Sequence, residues 1–162
     1  MTPQLLPSTD TINDAPAYWF LGGLNILLAR SESTGGSFSL IHHTAHPGHA
    51  TPYHVHHVED EAFYVLRGEF SFICDGKKTI LGPGGYIFLP RRIPHGFRCT
   101  GTNESSVLEW VMPGTGFVGL MLEMAAPARS RTLPPPTTPD MGKLKALCEK
   151  YSIGLLGALP DF

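Results

Sequence analysis

The sequence predicts an all-β sandwich or barrel, and three observations carry that reading. Short apolar stretches recur between Gly and Pro turns roughly every six to twelve residues. No helical period appears before residue 117. The 18 Gly and 15 Pro among 162 residues suit many turns and short elements rather than long helices. Closure into a barrel is expected because it removes exposed strand edges.

The elements follow in order. Residues 1–16 have no period and many polar or Pro positions, and read as an N-terminal arm. YWFLGGLNILLARS reads as one or two strands interrupted at Gly22-Gly23, and Ser33 to Gly36 as a turn. Phe38 to Thr44 is a strand, AHPGHATP a loop, Tyr53 to His57 a short extended stretch and Val58 to Asp60 a tight turn. Glu61 to Arg67 is the next strand. Glu69 to Cys74 and Lys77 to Leu81 flank Asp75-Gly76, the strongest two-residue hairpin signal in the chain. GPGG, then YIFLP, a turn at Arg91 to Pro94, HGFRC and VLEWVM continue the pattern. Phe117 to Ala126 suits a strand or a short helix. LPPPTTP is a stiff linker, after which Asp140 can cap a helix from Met141 to about Tyr151 with Leu144, Leu147 and Cys148 on one face. The expected organisation is an arm (1–16), a barrel (17–126), and a linker with a helix that packs on it (127–162).

Composition narrows the function classes. An apolar fraction of 42% with nine Phe, five Tyr and two Trp can fill a core, so disorder is excluded. Twelve basic and 14 acidic residues give a charge of -2 and offer nucleic acid no basic surface. Cys74, Cys99 and Cys148 are too few for a disulfide scaffold and suit a reducing compartment. The N-terminus lacks a signal-peptide pattern, and the most apolar stretch, Tyr18 to Ala29, is shorter than the roughly twenty residues a bilayer span needs. A cytoplasmic protein without membrane insertion is expected.

The unusual feature is histidine: seven of the eight lie between His42 and His57. His54 and His56 are two apart and share one side of an extended strand. After four intervening residues Glu61 opens the next strand, so its side chain can return beside them. His95 follows Pro90 and Pro94 at the start of another strand. Three imidazoles and a carboxylate converging in a small barrel suit Fe(II), Mn(II), Ni(II), Co(II) or Zn(II), with open positions for water or substrate. His42, His43, His46, His49 and His57 read as hydrogen-bonded or surface histidines, and Arg92 and Arg98 as solvated rim residues.

The stretch Gly48-(5)-His54-Val-His56-(4)-Glu61-(6)-Gly68 resembles the first cupin motif at every fixed position. The second motif, G-(5)-P-x-G-(2)-H-(3)-N, reads here Gly84-(5)-Pro90-Arg91-Arg92-(2)-His95-(3)-Cys99, so Arg92 and Cys99 depart from it. The first departure bears on a turn; the second leaves the four-residue ligand set intact. The wider pattern, including EAFYVLRGEFSF, LGPGGYIFLPRRIPHGFRC and YSIGLLGALP, is similar to single-domain quercetin-2,3-dioxygenase-like cupins.

That resemblance implies a double-stranded β-helix (jelly-roll) barrel holding one divalent transition metal per chain (Fe, Mn, Ni, Co, Cu or Zn) on His54, His56, Glu61 and His95. It implies O₂-dependent C–C cleavage of a flavonol-like or other enol substrate, with Glu61 taking the hydroxyl proton and carbon monoxide leaving in the flavonol case. On alternation, Phe63 and Val65 share Glu61's face, and Phe97 and Cys99 share that of His95; Tyr53, Phe72, Trp110 and Met112 complete the expected substrate pocket. Two other classes remain open: a non-oxidative metal-dependent isomerase, decarboxylase or lyase, and a small-molecule-binding cupin without turnover. The partners expected are a small aromatic or enolic substrate, O₂ and a second copy of the chain, the homodimer forming through Tyr18 to Ala29.

Overall fold

The computed structural model describes residues 4–161, and among them two antiparallel sheets dominate. In chain order the elements are β1 (Ala17–Phe20), β2 (Gly23–Ala29), β3 (Ser39–Ala45), β4 (Tyr53–His56), β5 (Asp60–Arg67), β6 (Phe70–Cys74) and β7 (Lys77–Leu81). There follow β8 (Tyr86–Leu89), β9 (His95–Cys99), β10 (Ser105–Met112), α1 (Gly116–Met124), β11 (Ala126–Pro127), α2 (Met141–Lys150) and β12 (Ile153–Gly157). The larger sheet runs β11-β1-β2-β3-β10-β5-β8 and the smaller β12-β4-β9-β6-β7. The fold is a jelly roll, the double-stranded β-helix.

Turn chemistry sets the registers. Asp75 and Gly76 both have positive φ, 51° and 71°, and pair Cys74 with Lys77 in a two-residue hairpin. Leu21 and Gly22, with φ 47° and 84°, do the same between β1 and β2, so the first apolar stretch is two strands. Gly23 then leaves room for the His43 ring: a Cβ there would stand 2.5 Å from His43 Cε1.

Inward side chains form two apolar clusters. Phe63, Val65, Phe70, Phe72, Phe97, Cys99 and Val107 fill one part of the interior. Phe20, Leu27, Ile41 and Val111 form the other with residues from the C-terminal third. Those residues are Val118, Leu120 and Met121 of α1, Leu144, Leu147 and Cys148 of α2, and Ile153 of β12. Each large side chain removed from water stabilises the fold by roughly 1.5–3 kcal/mol. Asp140 caps α2 by accepting from the Lys143 N–H at 2.9 Å. The chain then turns at Ser152 and adds β12 to the free edge of β4, pairing Ile153 with His56 and Leu155 with His54.

Candidate metal centre

β4 and β9 lie side by side with His54 opposite His95, while β5 brings Glu61 from the facing sheet. The period of two in β4 points His54 and His56 the same way. One ligand atom from each of His54, His56, Glu61 and His95 can be chosen so that all lie within 4.8 Å of one another. Glu61 Oε2 is 3.0 Å from His95 Nε2, and Oε1 is 3.2 Å from His56 Nε2. The His56 and His95 rings are stacked at 5.6 Å, and His54 stands edge-on to both. His56, Glu61 and His95 are buried and His54 is partly so.

The local backbone orients the imidazoles. His54 Nδ1–H donates to the Pro52 carbonyl at 2.8 Å, and His95 Nδ1–H to the Ile93 carbonyl at 2.9 Å. Each ring thus presents an Nε2 lone pair to the cluster, the tautomer that metal-binding histidines need. Among the described residues neither buried nitrogen of His56 meets a partner in hydrogen-bond geometry, the Glu61 oxygen at 3.2 Å included. A lone pair on His95 Nε2 facing a carboxylate oxygen repels it unless a cation lies between them. The four residues therefore fit a divalent metal: the donors converge, the tautomers are fixed, and one imidazole is otherwise unsatisfied.

Electrostatics agree with that fit. Burial, with the other imidazoles nearby, pushes His54 down to about 4, so it is neutral at physiological pH. Burial opposes charge on Glu61, but the imidazoles of His56 and His95 outweigh it and hold the carboxyl well below the usual carboxylate range. Burial likewise opposes charge on His56, and the Glu61 and Glu59 carboxylates more than offset it, so His56 is raised.

Glu109 on β10, not foreseen from sequence, is a second buried carboxyl beside Glu61. Burial and the neighbouring Glu61 charge push it well above the carboxylate range, and the two side chains share a hydrogen bond. Glu109 is the protonated partner. Glu59, also unforeseen, accepts from the N–H groups of Gly114, Gly116 and Phe117 at 3.0, 2.9 and 2.7 Å, anchoring the start of α1.

A cavity of about 90 Å³ opens beside the cluster. Of the eight expected pocket residues, Phe63 and Phe97 line it. Val65, Phe72 and Cys99 point inward but are packed in the apolar cluster deeper in the barrel. Trp110 and Met112 are misplaced by one step of alternation: Glu109 and Val111 take the buried positions of β10. Tyr53 neighbours His54 on β4 and also lies off the cavity. In their place stand Phe117 and Leu120 of α1, Leu144 and Cys148 of α2, and Ile153 and Leu155 of β12. His43 and His49, expected as ordinary histidines, line it as well. Arg92, standing where the second motif has Gly, adopts the left-handed conformation at φ 67°, so the turn keeps its glycine-type geometry.

The jelly roll and its buried His/Glu cluster define the class by likeness: residues 41–111 of this chain match the family model described as a cupin domain. Among curated proteins it is similar to quercetin 2,3-dioxygenase of Bacillus subtilis (strain 168), at 29% identity over 112 residues. That match takes in 69% of this chain and 32% of the relative, so the chain spans about a third of that enzyme's length. Among solved structures, an RmlC-like cupin from Shewanella frigidimarina superposes with a TM-score of 0.59 at 18% identity, over 68% of this chain and 94% of that one. The polyketide cyclase RemF from Streptomyces resistomycificus gives 0.57 at 23%, over 67% and 80%. These structural likenesses establish the fold. Among the described residues no helix is long and apolar enough to cross a membrane.

Proposed function

We propose that this cupin is a metal-dependent dioxygenase that cleaves a C–C bond of a flavonol-like or other enol substrate with O₂. The observation that carries the reading is the convergence of three imidazoles and an anionic carboxylate on the wall of an aromatic cavity. The similarity to a quercetin 2,3-dioxygenase supports it. His54, His56, Glu61 and His95 would hold the metal. When bound, a divalent transition ion supplies a Lewis acid that acidifies the enol hydroxyl and a meeting point for enolate and O₂. Glu61 would accept the hydroxyl proton once the bound ion has acidified it, and Glu109, raised by burial and the Glu61 charge, holds a proton beside it. Phe63 and Phe97 offer the substrate ring an aromatic wall, and the walls from α1, α2 and β12 exclude water.

Oxygen uptake by the metal-loaded protein on adding 3-hydroxyflavone, quercetin or another enol tests the reading. Glu61→Gln should reduce turnover by about 10²–10⁴-fold. Unchanged turnover in that variant would remove its role as base.

One observation favours a second reading. An anionic carboxylate beside a protonated one, both on the cavity, is also what a proton-moving isomerase, decarboxylase or lyase requires. Turnover that continues under anaerobic conditions would select it.

We also propose a homodimer. Tyr18 to Ala29 is consumed inside the subunit, β1 being flanked by β11 and β2 being mostly buried. The support comes instead from Tyr64, Tyr86 and Phe88, exposed on the outward face of β5 and β8. Light scattering of the eluting protein at the mass of one chain would overturn this.

A further inference from the structure

We propose that Asn25 and His43 form a second polar station in the cavity that binds a hydroxyl on the substrate, remote from the enol held at the metal centre. The proposal rests on the dioxygenase reading only for what happens at the far end; recognition at the station stands on its own geometry.

Asn25 on β2 and His43 on β3 are directly opposite one another, and both are nearly inaccessible, at 2% and 5%. Asn25 Oδ1 accepts from His43 Nδ1–H at 2.8 Å. That contact uses one polar atom of each side chain. The other two, Asn25 Nδ2 and His43 Nε2, are buried with no hydrogen-bond partner among the described residues, and both residues line the cavity. Leaving such atoms unsatisfied costs about 1–3 kcal/mol each, so the pair is built for something that enters. Gly23 makes the space the His43 ring occupies, because a Cβ there would overlap it.

The chemistry of the pair selects its ligand. Asn25 Nδ2 donates and neutral His43 Nε2 accepts, so the complementary group must accept and donate together. Turning the amide over and moving the ring proton exchanges the roles and leaves the same requirement. A hydroxyl satisfies it; a methyl group does not. An anion would find no positive charge, since burial, with two further imidazoles nearby, pushes His43 down to about 3.

The placement gives a length. Across β10, His43 faces Val107 and Glu61 faces Val111. The station and the carboxylate are therefore four residues apart along that strand, roughly 13 Å. Phe97, edge-on to His43 at 5.6 Å and to Phe63 at 5.5 Å, supplies an aromatic wall of the same cavity. The substrate class is thus an aromatic enol with a hydroxyl on the ring or chain farthest from the enol.

The test uses zinc-loaded protein titrated with phenol and with toluene, following the imidazole nitrogen resonances. Phenol should bind about tenfold more tightly, the gain of one or two hydrogen bonds. The His43 Nε2 resonance should move, and the preference should persist in protein stripped of metal with EDTA. In Asn25→Leu it should fall to within about twofold, with zinc content and melting temperature kept. Equal affinities, no binding of either probe, or binding without a shift at His43 would overturn the station; these wild-type results decide the matter even if Asn25→Leu fails to fold. A lack of oxygen uptake with every enol would instead overturn the dioxygenase reading and leave these results untouched.

Discussion

Glu61 Oε2 lies 3.0 Å from His95 Nε2, while the other nitrogen of that ring donates to the Ile93 carbonyl. The imidazole cannot donate in both directions without becoming a cation, so the short contact to Glu61 marks the place where a positive charge belongs. His56 makes the same point with two unsatisfied buried nitrogens. Protonation of His56 would answer one of these contacts; a divalent ion answers His95 Nε2, His56 Nε2 and the Glu61 carboxylate together.

From this follows the first expectation. Elemental analysis of protein purified without chelator or a nickel column should find stoichiometric transition metal. His54→Ala and His95→Ala should each lower it well below stoichiometry, as losing one of four ligands removes most of the affinity. Full retention of tightly bound metal in both variants would remove the quartet from its assigned place.

Much of this arrangement was legible in the sequence, and what was not has identifiable causes. The period of two placed His54 with His56 and Phe63 with Glu61, because alternation is local backbone geometry. Alternation gives the face of a strand but not the depth along the barrel, so Val65, Phe72 and Cys99 were right in direction and wrong in place. Trp110 and Met112 failed because the parity of β10 is set by pairing Glu109 with Ile41 and Phe63, strands far away in the chain. The walls from α1, α2 and β12 depend on the tail returning to β4, a contact with no local signature. Asn25 and His43 escaped because each looks ordinary until the β2–β3 register sets them together.

Glu59 should be a stability hot spot. Its buried carboxylate satisfies three backbone N–H groups at the start of α1, the helix that contributes Phe117 and Leu120 to the cavity. Hydrogen bonds to a charged group contribute about 1.5–3 kcal/mol each, and removing the acceptor leaves the donors unpaired. Glu59→Ala should cost about 3 kcal/mol or more in urea unfolding, with Glu59→Gln between it and the parent. A loss below about 1 kcal/mol would show that water replaces the carboxylate at little cost.

Arg92 offers a gain in stability. It holds φ 67° at a turn whose N–H donates to the His56 carbonyl at 2.7 Å, tying the Pro90–Pro94 segment to β4. A non-glycine residue in that region costs about 1–2 kcal/mol, and glycine removes the strain while adding freedom to the unfolded chain. Arg92→Gly should therefore raise stability by about 0.5–1 kcal/mol, whereas Arg92→Ala should give no such gain. A lower urea midpoint for the glycine variant would mean that the arginine side chain contributes more than its backbone costs.

His43 predicts an acid limb. Its folded-state value is pushed down to about 3 by burial, with His49 and His42 adding to the effect, against an ordinary value of 6.5. Between those two values the unfolded chain takes up a proton that the folded protein refuses, so stability is full above pH 6.5 and falls as pH drops through it. The slope is about 1.4 kcal/mol per pH unit, which gives about 2 kcal/mol at pH 5. His43→Gln removes this titration while keeping a polar side chain of similar reach. Urea unfolding in EDTA, which keeps metal release out of the comparison, should show the variant losing about 2 kcal/mol less than the parent between pH 7 and pH 5. Parallel losses in the two proteins would mean that His43 gains its proton without unfolding, and that the cavity wall around it opens to water in the native state.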